Sequence, residues 1–442
     1  MSDANTAPAG PKWSSQFAFL MAAIGAAVGL GNLWRFPFQA GQNGGSAFVF
    51  VYLACVFLIA APILIAEISV GRNQRKSAVG SPAALARSLK KTPAWGMIGF
   101  IGIFASFLVL TTYSVIAGQI MAFSLMGFLG EFGARSPDAA LSLYSGPAWT
   151  IFWFSLFLLM NIIVVARDLR GGIEKIVTIL MPVFFILIVG LAWYALTTGD
   201  AGAAIAYLFS PRFGELSPQV VLAAMGQAFY SLAVGAGAMI TYGAFLDRKE
   251  NIVASSGLIA GADTIVALTS GLMIFPVVFA FALDPAAGMG LIFNALPNVF
   301  AGMPSGAFIG GVFFFLAFIA ALTSSISMLF VNTVLAGEWL GWSRTTASWI
   351  IGGAAWAIGV VGVFVSGMGH TIDFLAGSVF LPLSALLCAV FVGWVVPRQI
   401  MRDEMAGASE GVFSTWRFLV RWLCPIGVAT ILAFGIIAEF SG

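Results

Sequence analysis

The chemistry open to this chain is concentrated in a few polar groups set in apolar sequence. Four ionisable residues lie inside long apolar runs: Arg35, Glu67, Asp263 and Asp373. A charge at the centre of a bilayer costs at least ~2.5–3.5 kcal/mol, so each needs a reason to be there. Asp263 sits among Gly261, Ala262 and Thr264, on a short stem and with no basic neighbour in sequence. A bound monovalent cation would supply its counter-charge. The run Thr323-Ser324-Ser325 puts three hydroxyls in another apolar stretch. Taken alone, such hydroxyls bond the carbonyl four residues back in their own helix. His370 reads as a loop residue rather than a proton relay. Cys55, Cys388 and Cys424 are spaced for neither a disulfide framework nor a metal site. No paired acid and base or phosphate-binding loop is visible, so no enzymatic reaction is expected.

Two of the apolar runs are interrupted by glycine. One is Gly25-Ala26-Ala27-Val28-Gly29-Leu30-Gly31-Asn32, the other Ser231-Leu232-Ala233-Val234-Gly235-Ala236-Gly237. Glycine weakens a helix interior by roughly 0.8–1.0 kcal/mol relative to alanine, so these clusters invite unwinding. Glycines also permit close helix packing. The polar company of Asn32, Ser231 and Asp263 favours a binding site instead. Unwound backbone at membrane depth needs polar partners, and paired broken helices can offer carbonyls to cations and amides to a carboxylate.

The elements that must position these groups are membrane helices. Sixty per cent of residues are hydrophobic, 9 % are charged, and mean hydropathy is +1.01. A water-soluble domain of 442 residues cannot hide that much apolar surface. A spanning helix needs about 20 apolar residues. Eleven stretches suffice: 14–37, 46–70, 95–127, 149–166, 172–198, 217–245, 252–283, 304–337, 345–366, 371–396 and 414–440. Long continuous runs exclude a β-barrel. The two broken spans stand five apart, which implies that spans 1–5 are repeated, inverted, by spans 6–10. The expected fold is therefore an all-α polytopic membrane protein of eleven transmembrane helices, with helices 1 and 6 broken. Its parts would be a cytoplasmic segment 1–13, repeats 14–200 and 201–397, and a cytoplasmic loop with the last span over 398–442.

Orientation follows from basic loops. With the N-terminus cytoplasmic, 17 of 20 Lys and Arg residues fall inside; only Arg135 and Arg212 lie outside, and Arg35 lies within span 1. Eleven spans then leave the C-terminus outside. Arg35 and Asp373 come to the outer ends of spans 1 and 10, where they can pair across an entrance. Glu67 comes towards the cytoplasmic end of span 2, where snorkelling to water is an alternative to a functional role. The first dozen residues lack the order of a cleaved signal peptide. The basic loops are accounted for by topology, so no nucleic-acid role is expected, and no obligate protein partner is implied.

Several motifs carry a family resemblance. Gly-Leu-Gly-Asn-Leu-Trp-Arg-Phe-Pro (29–37), Asn43-Gly44-Gly45, Gly226 through Leu232, Leu322-Thr323-Ser324-Ser325 and Asp373 through Gly377 resemble the neurotransmitter:sodium symporters, and amino-acid carriers of bacteria among them. The resemblance spans helices 1–10 in order. It implies sodium-coupled import of an amino acid by alternating access across a bacterial inner (plasma) membrane, with two sodium ions. The first would be held by the Ala27 carbonyl, Asn32, Ser231, Asp263 and the substrate carboxylate. The second would use carbonyls of Gly25, Val28 and Ala320 with hydroxyls of Thr323 and Ser324. Oxygen ligands suit such hard cations. The substrate carboxylate would meet Leu30, Gly31 and Tyr113, and its amine the carbonyls of Ala27, Tyr230, Ser231 and Ala233.

The same resemblance implies specificity and gates. Gly29 replaces an aspartate of the family's monoamine carriers, favouring a true amino acid. Val109, Ala233, Ala236, Ser324 and Met328 would line the side-chain pocket. Ala236 stands where a leucine-carrying relative has phenylalanine, which implies bulky hydrophobic or aromatic L-amino acids. The outer gate would be Arg35–Asp373 above a Tyr113–Tyr230 lid, and the Tyr230 hydroxyl needs a partner. At the inner gate Trp13 and Glu338 fit the family pattern; Gly10, Ala244 and Phe245 depart from it, and Lys12 is the substitute cation. Gly172 and Pro182 match a motif that lets span 5 unwind. Ala267 stands four residues after Asp263, where chloride-dependent members carry serine, so no chloride requirement is expected. A proton-coupled carrier of the same fold, and a membrane protein that binds its ligand without moving it, remain alternatives.

Overall fold

Hydrophobic runs of this length satisfy their backbone polar groups internally only as helices. The computed structural model describes residues 12–134, 146–286, 293, 295–303 and 305–441, and those residues form helices without strands. Gly10 and Arg135 lie outside the described residues. Among the described residues, nine helices are long and apolar enough to cross a membrane. They are α3 (Ser46–Gln74), α5 (Pro93–Phe128), α6 (Pro147–Ala166), α7 (Leu169–Thr198), α11 (Ile252–Ala280), α13 (Gly306–Leu340), α14 (Arg344–Phe364), α15 (Met368–Val395) and α17 (Glu410–Ile437). A tenth span is a bent pair, α1 (Gln16–Ala27) and α2 (Gly31–Gln42), which meet at 51°. The remaining run read from sequence, 217–245, is two short helices, α9 (Pro218–Ser231) and α10 (Ala238–Ala244), each too short to span alone. Shorter connecting helices, α4 (Gly80–Ser88), α8 (Ala201–Phe209), α12 (Leu296–Gly302) and α16 (Arg398–Glu404), complete the chain.

Local chemistry explains the boundaries. Ser15, Ser217, Asn251 and Ser343 accept hydrogen bonds from the third residue beyond them and cap α1, α9, α11 and α14. The two breaks differ in kind. Residues 28–30 turn the chain between α1 and α2, whereas 232–237 is a longer loop in which Ala233, Gly235 and Gly237 have φ of 49°, 85° and 74°. Gly235 answers to two constraints at once. Its φ favours glycine, and an ideal Cβ would lie 2.2 Å from the Leu381 carbonyl oxygen. The most extensive helix contact joins α5 to α13, and the two breaks pack beside that pair. Large aliphatic and aromatic side chains remain exposed around the outside, among them Ile186 and Trp193, as a lipid-facing surface requires.

Candidate functional site

The breaks place Asn32 and Ser231 against Asp263 of α11, and all three are buried. The Asn32 side-chain amide donates to Ser231 Oγ at 2.9 Å, Asp263 Oδ1 at 2.7 Å and the Asp263 carbonyl at 3.1 Å. Ser231 Oγ donates to Asp263 Oδ2 at 2.6 Å. Three oxygens thus converge on one nitrogen, within reach of a small cation's ligand shell. Turning the Asn32 amide over would add its own oxygen to that cage; at present Oδ1 accepts from the Gly29 amide at 3.1 Å. Both Asp263 oxygens accept hydrogen bonds, an arrangement that suits an ionised carboxylate. Tyr52, which sequence reading overlooked, adds its hydroxyl 3.4 Å from Ser231 Oγ.

The residues assigned to a second cation also gather. Ser324 Oγ donates to the Gly25 and Val28 carbonyls at 3.1 and 3.0 Å, across two helices. Thr323 behaves as an isolated helix hydroxyl does, donating to Ile319 and Ala320 carbonyls at 3.1 and 3.2 Å. Ser325 turns away to Asn161 Oδ1 at 2.7 Å. Of the three consecutive hydroxyls, only Ser324 therefore crosses to the break of α1.

Between these clusters lies a cavity of about 60 Å³. Its lining includes Ala27, Gly29, Leu30, Gly31, Val109, Tyr113, Tyr230, Ala233, Ala236, Ser324 and Met328, every substrate residue read from sequence except Ser231. Ser231 faces Asp263 instead. The Leu30 amide donates to the Tyr113 hydroxyl at 3.2 Å. Ser106 and Leu381 also line the cavity, and Ser106 Oγ holds the Ala236 carbonyl at 2.8 Å. Ser106 is one of several hydroxyl residues in span 3, and nothing in the sequence singled it out. Gln227, likewise missed, donates to the Gly31 carbonyl at 2.9 Å.

A larger cavity of about 480 Å³ shares Leu30, Gly31, Val109, Tyr113 and Tyr230 with the small one and continues to Arg35 and Asp373. The expected Arg35–Asp373 ion pair does not form. Arg35 lies over the Tyr230 ring, 4.4 Å from its centroid, and Asp373 accepts from Thr112 at 2.9 Å. The aromatic face thus occupies the guanidinium, and Tyr230 gains its partner through the ring rather than the hydroxyl. Glu67 is corrected as well. It does not snorkel: it is fully buried and accepts from the Gly235 amide at 2.7 Å, holding the break between α9 and α10.

The opposite face is closed by the chain entering α1. Trp13 is buried and donates from Nε1 to the Tyr242 carbonyl at 3.2 Å. Lys12 pairs with Asp247 at 3.2 Å, and Ser14 donates to Glu174 from both its amide and its hydroxyl. Glu338 accepts from the Ser77 amide at 2.7 Å, beside the start of α4. Gly172 lies in a widened turn that opens α7, and Pro182 lies within that helix.

Comparison with known proteins agrees with this architecture. The model of the sodium:neurotransmitter symporter family matches residues 10–135 and 145–441. An uncharacterised sodium-dependent transporter of Bacillus subtilis, YhdH, is 33 % identical, covering 95 % of this chain and 96 % of its own. A similar protein of Haemophilus influenzae is 30 % identical over 95 % and 96 %. The crystal structure of MhsT in complex with L-phenylalanine superposes with a TM-score of 0.88 at 35 % identity, covering 96 % of this chain and 99 % of that one. With this helical architecture, the broken spans and these matches over nearly the whole chain, the protein belongs to the sodium:neurotransmitter symporter family, a family of membrane secondary transporters and not of enzymes.

Proposed function

We propose that the protein imports bulky hydrophobic or aromatic L-amino acids, coupled to two sodium ions, by alternating access. The observation that carries this reading is the convergence of Asn32, Ser231 and Asp263 beside a cavity lined by Gly29, Tyr113 and Tyr230. A sodium ion in that cage would neutralise Asp263 and attract the substrate carboxylate, so each ligand would raise the affinity of the other. MhsT, a similar chain, is known in complex with L-phenylalanine, which supports the substrate class. The cavity of about 60 Å³ is smaller than an aromatic side chain, so its lining must rearrange to admit one.

The test is binding of radiolabelled leucine, tryptophan, tyrosine, alanine and glycine to the purified protein, with choline replacing sodium. Binding of the bulky members only with sodium is expected, and Asp263→Asn should weaken it about 100-fold or more, equivalent to ~2.7 kcal/mol. Binding that persists in choline would transfer the coupling to protons and sink the sodium assignment. Because Asp263 already provides a fixed negative charge next to Ala267, uptake should be equal in chloride and gluconate buffers. A large loss in gluconate would contradict that.

A further inference from the structure

We propose that Arg421, framed by Trp394 and Trp422, binds the phosphate of an anionic phospholipid in the leaflet on the side of the basic loops. Its guanidinium carbon lies 4.3 Å from the Trp394 ring centroid and 5.7 Å from that of Trp422. The two indoles meet edge to face at 4.7 Å. Among the described residues Arg421 makes no ion pair, and its guanidinium donates no hydrogen bond. The nearby arginines are already engaged. Arg398 and Arg402 pair with Glu410, and Arg417 donates to the Val392 and Val396 carbonyls. Arg421 alone among them keeps its whole planar fork of donors, the geometry that grips phosphate bidentately.

Depth and surroundings identify the anion as a lipid headgroup. Arg421 lies about three helical turns beyond Glu410, inside the last span. Around it Phe418, Trp422 and Ile426 are 61 %, 46 % and 63 % exposed, a surface suited to acyl chains rather than water. Tryptophan favours the headgroup layer, and a long arginine stem lets the charge reach it. The rings orient the guanidinium without consuming its N–H groups. The frame is also fixed: Trp394 Nε1 donates to the Arg421 carbonyl at 2.9 Å, and a Cβ at Gly393 would lie 3.0 Å from Arg421 Cα. Residues 398–421 carry four arginines against Asp403, Glu404 and Glu410, and Glu404 is already taken by Arg72. The net positive charge favours anionic over zwitterionic headgroups.

The experiment uses the full-length protein in nanodiscs of phosphatidylcholine mixed equally with phosphatidylglycerol, with retained lipid counted by native mass spectrometry. The expected result is a preference of about tenfold for phosphatidylglycerol, lost in Arg421→Gln and kept when exposed Lys90 and Lys91 are both changed to glutamine. Equal retention by wild type and Arg421→Gln would overturn the proposal. So would an equal loss in the Lys90/Lys91 variant, which would assign the preference to diffuse surface charge. Displacement of phosphatidylglycerol by millimolar inorganic phosphate would also overturn it, in favour of a soluble anion. Trp422→Leu, expected to weaken the preference in part, provides the same reading should Arg421→Gln fail to fold.

Discussion

An atom that is missing at Gly29 decides how the central cavity can be used. A Cβ there would lie 2.8 Å from Ser324 Oγ and 3.0 Å from the Tyr113 hydroxyl, inside the polar rim that includes the Leu30 amide. In the proposed binding mode the substrate carboxylate shares this rim, and residue 29 brings no side chain into it. Gly29→Asp would place a fixed carboxylate in it, and two like charges sharing one small site cannot both stay ionised without cost. Amino-acid binding should fall about 100-fold, or ~2.7 kcal/mol, while thermal stabilisation by sodium alone persists. Gly29→Asn separates bulk from charge, since its side chain matches that of aspartate in size but carries no charge. Equal losses in the two variants would show that space, not charge, sets the requirement. Glu67 works at the same scale from the other side of the cavity, because its hydrogen bond to the Gly235 amide shapes the loop that presents Ala233 and Ala236.

At the scale of elements, the N-terminal strap and the start of α1 close the face opposite Arg35. Lys12–Asp247, Trp13 to the Tyr242 carbonyl, and Ser14–Glu174 tie this strap to three different parts of the chain. The Lys249 amide, and then Lys12, hold the Asp247 carboxylate below its usual range. The sign follows: the pair is intact above the ordinary carboxylate pKa of about 3.9 and is lost only as pH falls through the lower folded value. The labelling rate of a cysteine introduced on α1, divided at each pH by that of the unfolded protein so that the thiolate fraction cancels, should therefore be flat from about pH 5 to 8 and higher throughout in Asp247→Asn. The native cysteines are buried, so they give little background. A pH step in that ratio above pH 5 would reject Asp247 as the closing group. Helices and breaks were legible in the sequence because apolar length and glycine clustering are local signals, and Asn32, Ser231 and Asp263 stood out as polar groups in apolar runs. Lys12–Asp247 and Arg35 over Tyr230 were not legible. Both depend on which side chains tertiary packing brings together, 235 residues apart in the first case.

At the scale of the whole molecule, Arg72 joins segments that the bundle alone would leave independent. It was expected merely as one of the basic residues that set topology, yet it is buried, with Glu404 buried beside it. Its Nε donates to Glu404 Oε2 at 2.7 Å, and its Nη1 to the Glu250 carbonyl at 2.6 Å, while Asn73 holds the second Glu404 oxygen at 2.9 Å. The end of α3, the turn between α10 and α11, and α16 thus close on one guanidinium. A carboxylate left there without its cation has neither water nor a counter-charge, and breaking such a pair costs on the order of 3–5 kcal/mol. Arg72→Gln should accordingly lower the apparent melting temperature of the purified protein by many degrees. Arg72→Gln combined with Glu404→Gln should recover much of that loss, because no unpaired charge remains buried. The proposed substrate cavity is lined by other residues, so sodium-dependent binding at low temperature should change little in the double variant. If instead the single variant melts like wild type, the ion pair is ornamental and the three segments are held by apolar packing alone. If the double variant is no better than the single, the fork geometry of Arg72, with its backbone acceptors, outweighs the charge.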